Sequence, residues 1–396
     1  MRIALAFAAS FALAACATTG ERQGPPETPV SEEGAPFALS PVEFSDLPGW
    51  AEADLAPALA ALRRTCQARA DRTPDAAWSN HGRYGGHMAD WAAACGGAMA
   101  VAPGGERAFF ESQFTPYAVR GPGEARLTAY YEPAIEARRV QQPAFTEPLL
   151  RRPNDMVSID LAAFAEAYDN EALRGAPRAL TGQLRGDEVK PYPQRSEITQ
   201  QPGQVIAWTN PIDLYNLQVQ GSGRLVFPDG PPTRAAFAAQ NGYRWNSALG
   251  ALSRSGQLQG GATWANFRAW SDSNGADATR TALAVDPSYV FFGEESMDDP
   301  SIGPRGAAGI NLQPQGSLAV DPAYHPYGAL IFVDGQYDAA PFQRLLVALD
   351  TGGAIRRGPL RGDVFFGAGA DAGAAAERMN APARWWTLLP QGVPMA

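Results

Sequence analysis

Apolar residues in the region 45–113 recur at intervals of three and four positions, which predicts helices there. Two predicted helix faces carry this spacing: Leu55, Leu59, Leu62 and Cys66, then Met88, Trp91, Ala92 and Cys95. Residues 82–86, which are rich in glycine, separate the two segments. Because each face carries a cysteine, the pattern predicts that both cysteines point into a shared seam between the helices.

From residue 127 onward the pattern changes to short apolar runs separated by polar, proline-rich segments, which predicts strands. The predicted strands are 127–131, 205–208, 214–219, 225–227, 289–292, 328–333, 344–349, 364–366 and 384–389, with helical stretches at 160–170 and 233–284. The last hundred residues lack the strand–helix alternation of a parallel α/β sheet. The sequence therefore predicts a mainly β fold with attached helices.

The N-terminus resembles a bacterial lipoprotein signal. An apolar run over 3–15 is too short to span a bilayer, and it ends in a Leu-Ala-Ala-Cys motif at Cys16. This motif predicts that residues 1–16 contain a cleaved signal peptide and that Cys16 is lipidated. The alternative is an ordinary secretory signal peptide. Since Ala17 follows the cysteine where an inner-membrane retention signal would have Asp, we expect anchoring at the periplasmic face of the outer membrane of a Gram-negative bacterium.

The segment after the signal and the two remaining cysteines fit that compartment. Residues 17–44 are rich in Pro, Gly, Thr and Glu without apolar periodicity, which predicts a flexible tether. An oxidising periplasm favours a disulfide between Cys66 and Cys95 over two buried thiols or a catalytic cysteine.

Charge and histidine content exclude several classes of function. The net charge of −9 argues against nucleic-acid binding, because no basic surface is available for phosphates. The three histidines, His81, His87 and His325, form no pair with ligand-like spacing. We therefore expect neither a metal nor an organic cofactor.

Two aspartates near the C-terminus are the strongest candidates for catalysis. Asp350 ends one apolar strand and Asp363 begins the next, across a loop of Gly, Pro and Arg. An apolar frame and a neighbouring carboxylate can raise a pKa, as a general acid requires. Both residues could instead be turn or cap residues. The Asp-Thr-Gly triplet at 350–352 also resembles that of aspartic proteases, but the second triplet that those enzymes need is missing.

Six stretches in order along the chain resemble the MltA family of membrane-bound lytic murein transglycosylases. They are 127–133, 193–198, 219–224, 241–243, 287–292 and the block from 350 to 363. Asp321, Asp350 and Asp363 match the three aspartates of the family's 3D domain. Ala129 stands where the family usually has glycine, and the N-terminal helical region matches only loosely.

The resemblance implies a fold of two β domains. A double-psi β-barrel (3D) domain would comprise 45–132 and 292–396, and a second β domain, 133–291, would be inserted into it. The substrate groove would lie between the two.

The resemblance also implies a mechanism. Asp363 would protonate the glycosidic oxygen between N-acetylmuramic acid and N-acetylglucosamine, and the C6 hydroxyl of the same muramic acid would attack to give a 1,6-anhydro end. Asp350 would support Asp363 in this reaction. The residues expected in the groove are Thr128, Tyr130, Tyr131, Gln220, Gly221, Ser222, Gly223 and Asp321, of which Asp321 would mainly organise the barrel loops.

Two alternatives come with this assignment. The two tyrosines could be ordinary strand residues, and 220–223 could be a simple hairpin turn. The same fold could also belong to a lipoprotein that binds peptidoglycan without cleaving it, since fold does not determine activity. The expected partners are peptidoglycan strands, the membrane through the lipid anchor, and proteins of wall synthesis.

Overall fold

Strands dominate the structure, as the sequence pattern predicts. The computed structural model describes residues 36–174, 179–297 and 299–393. The strands within these ranges are β1 (Ala38–Pro41), β2 (Phe114–Arg120), β3 (Arg126–Glu132), β4 (Ala134–Glu136), β5 (Glu147–Leu150), β6 (Met156–Asp160), β7 (Ala179–Arg185), β8 (Glu188–Pro191), β9 (Val205–Thr209), β10 (Gly223–Val226), β11 (Thr233–Gln240), β12 (Val290–Ser296), β13 (Ser317–Val320), β14 (Leu330–Tyr337), β15 (Ala340–Asp350), β16 (Arg361–Ala368), β17 (Asn380–Pro382) and β18 (Arg384–Pro390).

Helices are attached to the ends and edges of this β structure. They are α1 (Ala56–Gln67), α2 (Met88–Ala100), α3 (Glu106–Gln113), α4 (Leu161–Ala167), α5 (Glu171–Arg174), α6 (Pro211–Gln220), α7 (Ala248–Arg254), α8 (Trp264–Leu283) and α9 (Gly369–Ala376). None of the helices in the described ranges is both long and apolar enough to cross a membrane. The predicted signal peptide and Cys16 lie outside the described residues.

One nine-stranded sheet is built from the two ends of the chain. Its order is β1-β2-β18-β14-β15-β13-β16-β3-β17, so that five strands from 317–390 lie between β2 and β3. The strands between residues 134 and 296 form three other sheets: β12-β11-β10-β4, β5-β9 and β6-β7-β8. The chain thus leaves the large sheet after β3 and returns to it at β13.

Both faces of the large sheet are buried, because successive residues of its central strands enter different cores. Leu330 and Phe332 of β14 pack with the helices α1, α2 and α3 on one side. Ile331 and Val333 of the same strand pack into a second core with Leu127, Leu318 and Val364. This alternation follows from the two-residue period of a strand and explains the nearly continuous apolar runs of β14 and β15.

The predicted disulfide between Cys66 and Cys95 is confirmed. It joins α1 to α2, with the two Cα atoms 5.6 Å apart. The predicted face of α1 is buried, whereas on α2 the predicted Ala92 is exposed and the buried residues are Trp91, Ala94 and Ala98.

Residues 214–219, predicted as a strand, lie in α6 instead. The helix begins at Asn210, whose side chain accepts a hydrogen bond from the Asp213 amide, and Pro211 occupies its first turn. It ends at Gly221, which adopts a φ of 83°. These end signals outweigh the aliphatic residues that suggested a strand.

Two predicted boundaries were also wrong. The helical stretch predicted from 233 begins with the strand β11, because pairing with β10 on one side and β12 on the other outweighs the helix preference of its alanines. The tether predicted for 17–44 ends earlier, since Ala38–Pro41 form β1 and pair antiparallel with β2.

We predict that removing the disulfide destabilises the protein without changing its fold. The bridge spans a sequence separation of 29, and releasing a loop of that length costs about 3.6 kcal/mol of the free energy of unfolding. Urea unfolding of wild type and of the Cys66→Ser/Cys95→Ser variant measures the difference. Dithiothreitol should lower the wild-type midpoint and leave that of the variant where it is; superimposable curves for the two oxidised proteins would contradict the prediction.

Candidate active site

Asp350 and Asp363 flank a single residue of the central strand β13. Ala319 is the register partner of Asp350 on one side and of Asp363 on the other. With neighbouring strands about 4.8 Å apart, the two aspartate backbones lie roughly 10 Å apart at the same level of the sheet. The structure thus brings the two predicted catalytic residues together.

A β-bulge produces this alignment. Leu318 pairs with Ala348, but the next residue, Ala319, pairs with Asp350, so the register skips Leu349. Leu349 turns into the core with the helices. Bulges often redirect side chains near active sites, and this one sets Asp350 level with Asp363.

Asp363 is held by a single neutral hydrogen bond from the neighbouring strand. Thr128 on β3 is its register partner, and the Thr128 hydroxyl donates to Asp363 Oδ1 at 2.6 Å. Arg361 in turn donates to the Thr128 oxygen at 2.9 Å. Burial raises the pKa of Asp363 to about 6, and Asp350 pushes it in the same direction, while Thr128 and Arg361 oppose the rise. The carboxyl is therefore partly protonated near neutral pH.

Asp350 is better supplied with donors. Its Oδ2 accepts from the Tyr130 hydroxyl at 2.7 Å, and its Oδ1 accepts from the backbone amides of Ala307 and Thr351, both at 2.9 Å. Burial still raises the pKa of Asp350, but these three hydrogen bonds oppose the shift by stabilising the charged form. The two carboxyls thus have different surroundings, which favours Asp363 as the acid and Asp350 as the carboxylate.

Alternate residues on one face of β3 serve this site. Thr128 reaches Asp363, and Tyr130 reaches Asp350 while its ring packs 5.3 Å from that of Phe365. Burial and the carboxylates raise the pKa of Tyr130 well above its ordinary value, so its hydroxyl stays protonated and remains a donor. Tyr130 therefore acts on the site through Asp350.

The next residue on that face, Glu132, was missed by the sequence analysis as a functional position. It is fully buried, and its carboxylate pairs with Arg224 at 2.9 Å and Arg234 at 2.6 Å, which belong to β10 and β11. The same two arginines donate to the carbonyl oxygens of Pro300 and Ile302, both at 2.6 Å. This ion cluster ties the large sheet to the four-stranded sheet at the end of β3.

Tyr131 connects β3 to the end of α6. Its hydroxyl accepts a hydrogen bond from the Asn216 side chain at 2.8 Å, and its backbone amide donates to Gln220 Oε1 at 3.2 Å. Gln220 is the last residue of α6, so the predicted loop is a short helix-to-strand connection rather than a hairpin turn. This contact fixes the orientation of the Gln220 side-chain amide, including its nitrogen.

The glycines after Gln220 have different roles. Gly221 has a left-handed backbone and ends α6, with open space where a side chain would project. Gly223 is buried, and a Cβ there would lie 2.8 Å from the Pro133 carbonyl oxygen and 2.3 Å from Leu217. Its close approach is therefore to the chain itself, whereas Gly221 and the half-buried Ser222 remain candidates for substrate contact.

Asp321, predicted to lie in the groove and to organise barrel loops, has the geometry of the second role. Its side chain is buried, with its two oxygens accepting from the backbone amides of Ala323 and Gly358, both at 3.0 Å. Nearby, His325 bonds the Pro359 carbonyl oxygen at 2.6 Å. Both residues fasten the loop between Asp350 and Asp363, and nothing in this geometry supports a substrate contact by Asp321.

Arg361 and Ala307 are further site residues that the sequence analysis missed. Arg361 lies two positions before Asp363 on the same strand face, a spacing that could have been recognised. Ala307 contributes only a backbone amide, which no side-chain pattern predicts. Among the described residues, no group of three or more His, Cys, Asp or Glu could hold a metal ion.

Because Asp363 is ionised at a cost, we predict that Asp363→Asn stabilises the protein at high pH. Because the pKa of Asp363 is raised in the folded protein, the contribution of this group to the free energy of unfolding is fully present below about pH 4. That contribution is lost as the pH rises through about 6. Asparagine avoids the loss, which corresponds to about 2–3 kcal/mol at pH 8 and close to none at pH 4.

Urea unfolding at both pH values tests this prediction. The variant Asp229→Asn, at an exposed aspartate, serves as the control that should show no such gain. An Asp363→Asn variant no more stable than wild type at pH 8 would contradict the assignment of a costly buried charge.

Two protein-family models match the chain. The MltA specific insert domain matches residues 126–293, and the 3D domain matches residues 316–389. These limits agree with the excursion of the chain away from the large sheet and its return.

Known proteins match over most of the described fold. The structure is similar to the membrane-bound lytic murein transglycosylase from Agrobacterium tumefaciens, with a TM-score of 0.74, 30% identity and coverage of 89% of this chain and 98% of that one. The MltA structure from Neisseria gonorrhoeae gives a TM-score of 0.73 at 26% identity, covering 93% and 97%.

Membrane-bound lytic murein transglycosylase A of Escherichia coli K12 is 28% identical over 276 residues. That alignment covers 67% of this chain and 66% of the relative, just under two thirds of its length. Taken with the solved structures and the two domain models, these matches establish that the chain belongs to the MltA family.

Proposed function

We propose that the protein is a peptidoglycan lytic transglycosylase and that Asp363 is its catalytic acid and base. The observation that carries the proposal is the Asp363 carboxyl, whose pKa burial raises to about 6, held level with Asp350 across β13. A protonated carboxyl near neutral pH is what departure of a sugar oxygen requires. Membership of the MltA family supports the substrate assignment.

The reaction uses the Asp363 proton twice. Asp363 donates it to the oxygen between N-acetylmuramic acid and N-acetylglucosamine, and the bond from that oxygen to C1 of the muramic acid breaks. The C6 hydroxyl of the same sugar then attacks C1 of the resulting cation and gives its proton to the Asp363 carboxylate. The product ends in a 1,6-anhydro ring, and the enzyme returns to its starting state.

This chemistry needs one acid–base group where hydrolases use two carboxylates. Because the nucleophile belongs to the substrate, no second protein base has to activate water. Asp350 then serves as an electrostatic partner: its charge opposes ionisation of Asp363 and stabilises the sugar cation. Tyr130, Ala307 and Thr351 hold it in the charged form.

The substrate is proposed to lie across β3 and the end of α6. Thr128 and Tyr131 are at the strand, and Gln220, Gly221 and Ser222 are at the helix end. The Gln220 carbonyl is engaged by the Tyr131 amide, so its amide nitrogen is the group offered to a sugar. A cavity of about 240 Å³ between Arg224, Pro300 and Phe365 provides further room beside this strand.

The domain organisation is proposed on the same basis. Residues 45–132 and 292–396 would form the double-psi β-barrel and 133–291 the inserted domain. The strand β12, which pairs with β11 of the insert, extends beyond this boundary to residue 296. Two features of the large sheet support a barrel: it contains the parallel pairs β13–β15 and β16–β3, and β14 lies against β17, the strand at the end of the order.

Location follows from the N-terminal sequence. We propose that Cys16 carries the lipid anchor, that the tether from residue 17 ends before β1, and that the enzyme faces the wall from the outer membrane. Proteins of wall synthesis are the proposed partners at that place.

Mass spectrometry of the fragments released from purified sacculi tests the activity. The chain without residues 1–16 should release muropeptides lighter by one water than hydrolysed ones, and Asp363→Asn should release none. Full-mass reducing products would contradict intramolecular attack. Binding of sacculi without any release would instead support a protein that only binds peptidoglycan.

The hydrogen bond from Thr128 predicts a shift in pH dependence. In Thr128→Val the Asp363 carboxylate loses the one side-chain donor that it has among the described residues, so its pKa should rise by about 1 unit and the acid form should persist to higher pH. The alkaline limb of the kcat/KM profile should move upward accordingly. Thr128→Ser keeps the hydroxyl and serves as the matched control; an alkaline limb that is unmoved, or moved equally in both variants, would contradict the role of this bond.

A further inference from the structure

A polar cavity of about 260 Å³ lies behind Asp350, outside the proposed groove. It is bounded by the end of α1, the segment from Ser79 to His81, the segment from Ala307 to Ile310, and Tyr327. A water molecule takes up about 30 Å³ of liquid, so the cavity has room for a small polar group with several atoms.

Positive charge dominates this cavity. Arg69 and Arg72 line it, and no Asp or Glu does so in the described part of the chain. The two guanidinium groups are close enough for Arg72 to lower the pKa of Arg69, although burial is the larger cause of its fall to about 9. In a chain with a net charge of −9, such an uncompensated pair favours an anion.

The hydrogen bonds of both arginines are incomplete. Arg69 is only 6% exposed, and its Nη2 donates to the Tyr327 carbonyl oxygen at 2.8 Å, while Nη1 has no partner among the described residues. Nη1 of Arg72 makes only long contacts, to the carbonyl oxygens of Ala77 at 3.4 Å and Trp78 at 3.2 Å. A buried donor without an acceptor is costly, so a ligand oxygen here would be strongly favoured.

Ser79 adds an oriented hydroxyl. Its oxygen accepts from the backbone amides of His81 and Tyr327, both at 3.2 Å, which leaves the hydroxyl proton to be donated. A hydroxyl and two guanidinium groups around one space match the acceptor geometry of a carboxylate, which binds arginine with two parallel hydrogen bonds.

The cavity wall is continuous with the catalytic carboxylates. Ala307 lines the cavity, and its amide donates to Asp350 at 2.9 Å. Tyr327 lines it from the other side, and the Asp350 charge contributes to raising the pKa of the Tyr327 hydroxyl to about 12. A group bound here would therefore lie close to the scissile sugar.

We propose that this cavity binds a carboxylate of the peptide carried by the muramic acid of the substrate. The inference rests on the proposed function, because it takes peptidoglycan as the polymer in the groove. Arg69 forms the floor of the site and the exposed Arg72 its rim. Such binding would make the enzyme favour peptide-bearing glycan strands over bare ones.

Cleavage of two substrates tests the proposal. Wild type should have a higher kcat/KM on glycan strands with intact peptides than on strands stripped by an amidase. Arg72→Gln should lower this ratio about tenfold, the effect of losing one charged hydrogen bond. Arg185→Gln, at an exposed arginine on β7, is the matched control and should keep the wild-type ratio. Equal losses on both substrates, or no change in the ratio, would overturn the proposal.

Direct titration separates this inference from the proposed activity. N-Acetylmuramoyl-L-alanyl-D-isoglutamine carries one free carboxylate and should release heat on binding wild type, while its carboxyl-amidated form and the Arg72→Gln variant should show no binding. Acetate that competes as well as the muramoyl peptide would overturn the peptide assignment. If wild type released no anhydro product even from stripped strands, the activity would fail, and the titration would still decide whether the cavity binds the peptide.

Discussion

The cost of ionising Asp363 is the constraint on which the site depends. A carboxylate in water is stabilised by many donors, whereas in the described part of the chain Asp363 accepts one hydrogen bond, from the Thr128 hydroxyl, and is further opposed in its pKa rise only by the charge of Arg361. Its neighbour Asp350 has three donors within 2.9 Å. The contrast gives two aspartates at the same level of one sheet different tendencies to ionise, because burial raises the pKa of both but Asp350 has more donors that oppose the rise.

The rest of the molecule keeps this arrangement rigid. The bulge in β15 aligns Asp350 with Asp363, and the loop between them is fastened through Asp321 and His325. Glu132 anchors the four-stranded sheet to the same strand that carries Thr128 and Tyr130. Removing one partner from such a buried ion cluster typically costs about 3–5 kcal/mol, so the junction between the two sheets is held firmly on the strand that also carries Thr128, the partner of Asp363.

Much of the fold could be predicted because its central strands are apolar on both faces and its helices carry clear spacing. Periodicity identified β3, β14 and β18, and the face of α1 that carries Cys66. It failed for α6, where capping by Asn210 and Gly221 decides the structure, and for β11, where pairing partners distant in sequence do. For β11 local preference cannot contain that information, whereas Asn210, Pro211 and Gly221 are end signals of α6 that the sequence itself offers.

The candidate site likewise contains features that the sequence predicts and features that it does not. Asp350 and Asp363 were recognisable as carboxylates at the ends of apolar strands, and the family resemblance pointed to Asp363 as the acid. The bulge, the amide of Ala307 and the pairing of Glu132 with two arginines depend on contacts across the sheets, which no local pattern contains.

The most direct test of this account is the pKa of the Asp363 carboxyl itself. A ¹³C NMR titration of aspartate-labelled protein, with the Asp363 resonance identified by its absence in Asp363→Asn, measures it without any substrate. The account predicts a midpoint near 6. A midpoint at or below about 4, the value of an ordinary aspartate, would contradict it, because Asp363 would then be charged throughout the neutral range and could not serve as the acid.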